Sequence, residues 1–437
     1  MFTYVRLKNF KTFGDVTLDL CDKNGNPKKL VLIYGENGIG KSNLASAFFM
    51  LSETIRTMDV RDFLQSLLEN KPDDISEDEF MEVFRTRFQD IESLIKNNKM
   101  IESDENLYLE FGFEVNNKKG RYILEMDEKE IVYEFLEYVL LKNRGTCFEI
   151  SKEKFFLSEK VFLNKDFSDD LKIMIKKFWG KHSLLGILNH DIFDKTNKYY
   201  EDKISENMKN VLSFLRKVSC QVKYGNTQEK GVIGLPKNFL GDYYTGKVDL
   251  NEEKILDNAE KMLNYFLTTL YQDIQSVYYK REIINDKIKY NLIIRKKIYG
   301  KIRDLDFKLE STGTMSVVRF LPFMLITVKG SVAIIDEFDT GIHDVLVKSL
   351  ITSLNDDIEG QLIMTTHNTL LMESELPKEV FYTIEEISEL DKRIDCILKY
   401  DNKININTNI RNQYILGKYK GIPENVTVDF KKLTEML

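Results

Sequence analysis

The chain has little cysteine: four thiols, Cys21, Cys147, Cys220 and Cys396, are scattered over 437 residues with no C-x-x-C pair. That spacing argues against structural zinc and suits a reducing, cytoplasmic compartment. It also lacks an excess of positive charge. Lys plus Arg number 63 against 70 Asp plus Glu, a net charge of −7. No global basic field therefore marks a nucleic-acid partner, although the sum is blind to a local cationic groove. No apolar run is long enough to span a bilayer, because the longest, Val317 to Val328, is interrupted by Arg319 and Pro322. Nor does a secretory leader open the chain, since Met1-Phe2-Thr3-Tyr4-Val5-Arg6 already begins a strand pattern. A soluble cytoplasmic protein with no membrane partner is expected. Sustained heptads, internal repeats and low-complexity tracts are missing too, which excludes a long coiled coil. The length points to two lobes of unequal size rather than one core.

What is present is concentrated in short motifs. Residues 35 to 42 read Gly-Glu-Asn-Gly-Ile-Gly-Lys-Ser and match G-x-x-x-x-G-K-S/T in full. They follow the apolar run Leu30 to Tyr34, so a buried strand feeds a glycine-rich turn and then a helix from Lys41. That order predicts a phosphate-binding loop. Gly35, Asn37, Gly38, Gly40 and Asn43 belong to its nucleotide-binding set, with Lys41 reaching the β and γ phosphates of ATP. Ser42 supplies a hydroxyl to Mg²⁺, and the helix start turns its positive end toward the nucleotide.

Far downstream, Val332-Ala333-Ile334-Ile335-Asp336-Glu337 is an apolar strand that ends in two carboxylates. Asp336 is the candidate metal ligand and Glu337 the candidate general base that polarises the attacking water. Gln361 to His367 gives another buried strand ending in a histidine. His367 is the candidate γ-phosphate sensor, since ligands of open α/β sheets gather at strand carboxyl ends. Of the other histidines, His182 and His190 lie in the helical middle and read as structural, and His343 sits in the turn after the carboxylates. Between the two halves, Glu310-Ser311-Thr312-Gly313-Thr314 precedes an apolar helix. Taken alone this is an N-cap; Ser311 and Gly313 can also form a second anion-binding helix start.

Elsewhere, Thr3 to Leu7 and Asp15 to Leu20 read as paired strands. Leu107 to Val115 and Gly120 to Met126 form a hairpin about Asn116-Asn117, and Ile131 to Leu140 continues it. Ser52 to Asn98 reads as helical and charged, Leu250 to Leu270 as helix, and Ile274 to Ile283 and Ile288 to Ile298 as strands around Asn285 and Asp286. The expected fold is α/β: residues 1–149 and 271–437 as the two halves of one head, with 150–270 as a mostly helical insertion.

The order phosphate loop, Ser-x-Gly helix, Asp-Glu strand, strand-His resembles the ATP-binding-cassette ATPase head. The opening Val5 to Lys11 followed by the phosphate loop resembles its SMC and RecF-like branch. More narrowly, Glu310 to Thr314, Ile335 to Asp339, Thr365 to Leu371 and Tyr414 to Pro423 resemble bacterial abortive-infection ATPases of the AbiL and RloA type, related to the ATPase subunit of PARIS phage-defence systems. The resemblance implies a P-loop NTPase that binds ATP and Mg²⁺. It also implies pairing into a homodimer or higher homo-oligomer through its heads, with Ser311 and Gly313 of one head closing on the nucleotide of the other. A separately encoded effector, such as a TOPRIM-type nuclease, is implied as the partner. Thr312 and Thr314 depart from transporter heads, and the tail after His367 holds no Asp-x-Asp pair for a fused nuclease. Two other readings stay open: a RecF or SMC-like DNA-associated ATPase, and a nucleotide-dependent switch with negligible turnover.

Overall fold

The computed structural model describes residues 1–59, 61, 89–194, 202–224, 228–232, 234, 239–388, 391–400, 408–422, 428–434 and 436. Of the charged helical stretch expected over Ser52 to Asn98, residues 60 and 62–88 lie outside these. So do residues 401–407, 423–427, 435 and 437 in the C-terminal segment.

The run Leu30 to Tyr34 forms β3, and all five residues are buried. Continuous apolarity is what a strand with both faces covered requires. Its alternate residues serve two cores: Val31 and Ile33 join one apolar cluster, while Leu30, Leu32 and Tyr34 join the other on the opposite face. A charge placed at Ile33 would sit in the first core and break it, since each fully buried aliphatic side chain contributes about 1.5–3 kcal/mol.

Around β3 the sheet is parallel. β16 (Gln361–Thr365) and β17 (Phe381–Glu386) flank it, β15 (Val332–Ile335) lies beyond β16, and β9 (Ser219–Tyr224) lies beyond β15. β10 (Gln228–Val232) closes that edge antiparallel to β9. On the other side β18 (Lys392–Cys396) meets β2 (Phe13–Asp19) through one parallel pairing, Ile394 with Leu18. β1 (Phe2–Phe10) and β4 to β8 (Leu107–Val115, Lys118–Met126, Ile131–Val139, Arg144–Ser151, Phe155–Leu157) extend the sheet as an antiparallel wing. A second sheet sets β13 (Lys287–Ile298) against β12 (Ile274–Ile284), with β11 (Thr245–Asp249) and β14 (Lys301–Asp306) end to end along its other edge. The turns of two hairpins explain themselves. Asn116-Asn117 and Asn285-Asp286 have φ of 49° and 57° in each case, the left-handed pair that a two-residue hairpin turn demands and that Asn and Asp tolerate.

Residues 150–270, expected as a mostly helical insertion, hold the helices Lys165–Phe178, Leu184–Asp194, Glu206–Arg216 and Glu253–Leu270 among the described residues. They also hold β9, which pairs directly with the carboxylate strand: Ala333, Ile334 and Ile335 align with Ser219, Cys220 and Gln221. A buried carboxylate fastens the same segment to the wing. Glu134 of β6 accepts from Tyr122 Oη (2.8 Å), Trp179 Nε1 (2.8 Å) and the backbone N–H groups of Leu184 (2.7 Å) and Leu185 (3.3 Å) at a helix start.

Candidate active site

Four parallel strands, β3, β16, β15 and β9, present their carboxyl ends along one edge. Each delivers part of the sequence-predicted constellation or a residue that sequence reasoning missed.

After β3 the chain turns through residues 35–40 into the helix Lys41–Thr54, whose N-cap is Gly40. Gly38 (φ 81°) and Gly40 (φ 117°) occupy left-handed backbone that a side chain would strain. A Cβ at Gly40 would also fall 2.8 Å from Phe13 Cζ. Gly35 is required for room instead, since a Cβ there would lie 2.8 Å from Ile39 Cγ2. No side chain caps the helix and its first turn holds no acidic residue. Its leading N–H groups are therefore suited to an anion. The buried Lys41 ammonium donates to the carbonyls of Gly35 (2.8 Å) and Glu36 (2.7 Å). Burial lowers its pKa, against the opposing charges of Glu337, Asp336 and Asp339. Asn43 Nδ2 donates to Thr12 Oγ1 (2.9 Å), and Asn37 is exposed on the loop.

At the end of β15, Asp336 is 2% exposed. Its Oδ1 accepts from Thr365 Oγ1 of β16 (2.6 Å) and its Oδ2 from the Lys223 N–H of β9 (3.4 Å). Burial raises its pKa, and the hydroxyls of Thr365 and Ser42 pull it back. The two residues predicted as a metal pair, Ser42 and Asp336, thus come from two elements to the same end of the sheet, close enough for the hydroxyl to act on the carboxyl. Glu337 has φ 49°. Its N–H donates to the same Thr365 hydroxyl (2.8 Å), and its Oε2 accepts from Lys223 Nζ and Thr340 Oγ1 (3.2 Å). Burial works to raise its pKa, but Lys223 and Thr340 outweigh it and hold the carboxyl below its ordinary value. His367 follows β16, exposed, with its N–H on Asp339 Oδ2 (3.0 Å). Partial desolvation and then the Lys41 charge lower its pKa, so it is neutral near pH 7. Asp339 Oδ1 is buried with no hydrogen-bond partner among the described residues.

Ser311 and Gly313 lie at the start of another helix. Ser311 caps the helix Thr312–Val328, its Oγ accepting from the Thr314 N–H (3.1 Å), and the residue is exposed. A Cβ on Gly313 would lie 2.6 Å from the Gly341 carbonyl oxygen, so only glycine lets this helix start touch the loop after the carboxylates. Ser311 bonds within its own helix start, to Thr314 and to the Met315 N–H, and Gly313 abuts Gly341.

Four further residues enter the site. Lys223 sits in Cys220-Gln221-Val222-Lys223, where no spacing marks it; only strand pairing brings it to Glu337. Thr365 and Thr340 lie inside motif segments, but their bridging role needs geometry. Lys11, in the β1–β2 turn, donates to Ser46 Oγ (3.0 Å), and burial lowers its pKa to about 8 against the pull of Asp336. Tyr414 and Gly421 buttress the loop. Tyr414 Oη donates to the Gly421 carbonyl (2.8 Å), and a Cβ on Gly421 would lie 3.4 Å from Gly35 Cα.

A glycine turn joining a central parallel strand to a helix, with the carboxylate strand one strand removed, is a P-loop NTPase fold. Residues 229–373 match the family described as "AAA domain, putative AbiEii toxin, Type IV TA system". No curated protein matches the chain. Similar solved structures include an SMC head bound to the C-winged helix domain of ScpA, at 13% identity and TM-score 0.44, covering 90% of this chain and 96% of that one. The SMC head domain from Thermotoga maritima is similar at 16% identity and TM-score 0.38, covering 91% and 98%. An SMC head from Pyrococcus furiosus, with an extended coiled coil and bound to the C-terminal domain of ScpA, is similar at 13% identity and TM-score 0.37, covering 90% and 95%.

Proposed function

We propose that the chain binds ATP with Mg²⁺, hydrolyses it, and pairs head to head as the ATPase subunit of a bacterial abortive-infection system. In this reading a separately encoded effector is held or released with the nucleotide state. One observation carries the ATPase reading: Lys41, Ser42, Asp336, Glu337 and His367, drawn from three separate motifs, converge at the carboxyl ends of adjacent strands. The toxin–antitoxin wording of the matched family supports the defence role.

The donor set fits the ligand. Two oxygens, from the Ser42 hydroxyl and the Asp336 carboxylate, are what a protein commonly offers Mg²⁺, which keeps waters and phosphate oxygens as its other ligands. The orphaned Asp339 Oδ1 marks the same edge as polar and incomplete. When bound, Mg²⁺ supplies charge neutralisation on the phosphate oxygens. The chain does the rest. The left-handed turn at Gly38 and Gly40 directs backbone N–H groups inward, and Lys41 adds a cation with three donors. The ionised Glu337 carboxylate takes a proton from water, and neutral His367 stands ready to hydrogen-bond the terminal phosphate. Ser311, exposed at its own helix start, acts on the partner head's nucleotide.

The test is Glu337→Gln, which keeps shape and removes the base. Hydrolysis should fall by about 100-fold or more, while an ATP-bound dimer accumulates in light scattering. Parental hydrolysis by this variant refutes the base. Mixing Lys41→Ala with Ser311→Arg chains should restore part of the activity through one intact composite site, whereas no recovery at any ratio counts against closure in trans. The effector role is tested by pull-down of the product of the adjacent gene with Glu337→Gln chains. Capture should depend on ATP, and equal capture with and without it, or DNA cleavage by the chain alone, defeats that part.

A further inference from the structure

We propose that Lys223 is a positioning residue for hydrolysis, its ammonium and the Thr340 hydroxyl together holding the Glu337 carboxylate in its working orientation. The inference rests on the reading of Glu337 as the base. It goes beyond that reading by assigning a role to a strand that carries none of the recognised motifs.

Register is the first support. β9 pairs with β15 as Ser219 with Ala333, Cys220 with Ile334 and Gln221 with Ile335. Two steps further along the same parallel alignment, Lys223 stands opposite Glu337. The Asp336 N–H continues the ladder onto the Gln221 carbonyl (2.8 Å), so the alignment persists past the strand end. Lys223 then touches both carboxylates by different groups: its N–H donates to Asp336 Oδ2 (3.4 Å) and its Nζ to Glu337 Oε2.

Backbone geometry is the second support. Glu337 has φ 49°, a conformation that disfavours a side chain and persists only where surroundings hold it. Four contacts do so here. Its N–H is tied to Thr365 Oγ1 (2.8 Å), its carbonyl accepts from the Thr340 N–H (3.1 Å), and its Oε2 takes Thr340 Oγ1 and Lys223 Nζ. Lys223 Nζ also reaches Thr340 Oγ1 (3.3 Å), closing a three-membered network. With Oε2 occupied by two donors, the rotation of the carboxylate is set and Oε1 is the oxygen left for water. An ordinary surface ion pair stabilises by about 0–1 kcal/mol and leaves function untouched. This pair differs because one member is the strained residue whose orientation the chemistry needs.

The pair also explains the lowered pKa of Glu337, since Lys223 is the leading influence opposing its burial. Lys41 and His367 face the same group from the phosphate loop and from the end of β16. Lys223 is the cation in direct contact.

The experiment compares Lys223→Met, Lys223→Arg, Glu337→Gln and the Lys223→Met/Glu337→Gln pair in the full chain. Three readouts are followed: ATP affinity, kcat, and amide hydrogen exchange across residues 336–342 without nucleotide. The inference expects Lys223→Met to lower kcat by about 10- to 100-fold, with ATP affinity unchanged and exchange at Thr340 faster. Lys223→Arg, which keeps the cation, should restore most of the rate and the slow exchange. In the Glu337→Gln background, Lys223→Met should cause no further loss. The inference is overturned by a kcat of Lys223→Met equal to or above the parent's, by a further loss in the Glu337→Gln background as large as in the parent, or by exchange that does not respond. If Glu337→Gln itself hydrolyses at the parental rate, the base assignment fails and takes this inference with it. If Glu337→Gln is inactive and Lys223→Met is unimpaired, this inference alone fails.

Discussion

Two buried carboxylates, Asp336 and Glu134, are driven upward in pKa by the same cause, removal from water, yet they sit in opposite kinds of environment. Glu134 is fully buried and meets four neutral donors: a phenol, an indole and two backbone N–H groups. The donors come from β5, from the turn at Trp179 and from the helix that begins at Leu184, so the carboxylate joins the wing to that helix. Asp336 accepts from fewer groups, the Thr365 hydroxyl and the Lys223 N–H, and stands among ionisable groups, with Glu337 beside it and the charges of Lys11 and Lys41 within reach. The lesson is about saturation. A carboxylate closed off by neutral donors is a joint. One left short of donors at the open end of a sheet, inside a mixed field of charge, is a site.

That contrast can be broken first at Asp336. Asp336→Asn should lower hydrolysis by at least about 100-fold if the proposed metal ligand is the one removed. Its thermal midpoint should stay level or rise, since a desolvated charge is removed. A clear drop in midpoint without loss of turnover would make Asp336 a joint like Glu134. Next in size, Lys41→Ala should weaken ATP binding by about 10- to 100-fold in calorimetry, the worth of charged hydrogen bonds to phosphate. Unchanged affinity would remove the lysine from the site.

Glu134→Gln should do the reverse of Asp336→Asn. The amide points an N–H at donors, leaving a buried mismatch that costs about 1–3 kcal/mol in denaturant unfolding. Hydrolysis per folded molecule should stay at the parental level. If turnover falls while stability holds, the two carboxylates are not of different kinds. The smallest effect is in pH dependence. Because the folded pKa of Glu134 lies above its unfolded value, the folded chain keeps a proton through the window between them that the unfolded chain has released. The contribution of this group is therefore full below the ordinary carboxylate range and declines as pH rises through the folded value, by at most about 1.4 kcal/mol per pH unit. Glu134→Gln should flatten that slope in unfolding measured across the acid range, and an unaltered slope would assign it to another group.

Much of the frame was legible because its physics is local. Leu30 to Tyr34, Val332 to Ile335 and Gln361 to Thr365 are apolar runs, which is how strands covered on both faces are spelled. The glycines at 38 and 40 and the Asn and Asp residues of two hairpin turns announce left-handed backbone. The candidate residues Asp336, Glu337 and His367 could be picked out for the same reason, each standing just past such a run, and Lys41 and Ser42 by the glycine spacing that precedes them. β9 was not legible. Ser-Cys-Gln-Val-Lys-Tyr does alternate polar with apolar residues, but it is short and follows directly on the helix Glu206–Arg216, so the change of period is easily lost in the helical pattern before it.

The sequence by itself therefore determined the chemistry on offer: a phosphate loop, a pair of carboxylates and a histidine, each attached to a strand end by local propensity. Tertiary structure decided which of these meet and which stay apart. Pairing of β9 with β15 brings Lys223 to Glu337, and packing of β16 between β3 and β15 slips the Thr365 hydroxyl under both Asp336 and the Glu337 backbone. The close approach of Gly313 to Gly341 holds Ser311 at a helix start of its own. Strand order is a long-range choice, set by which apolar faces cover one another, and residues far apart in the chain carry no mark of it until the cores close.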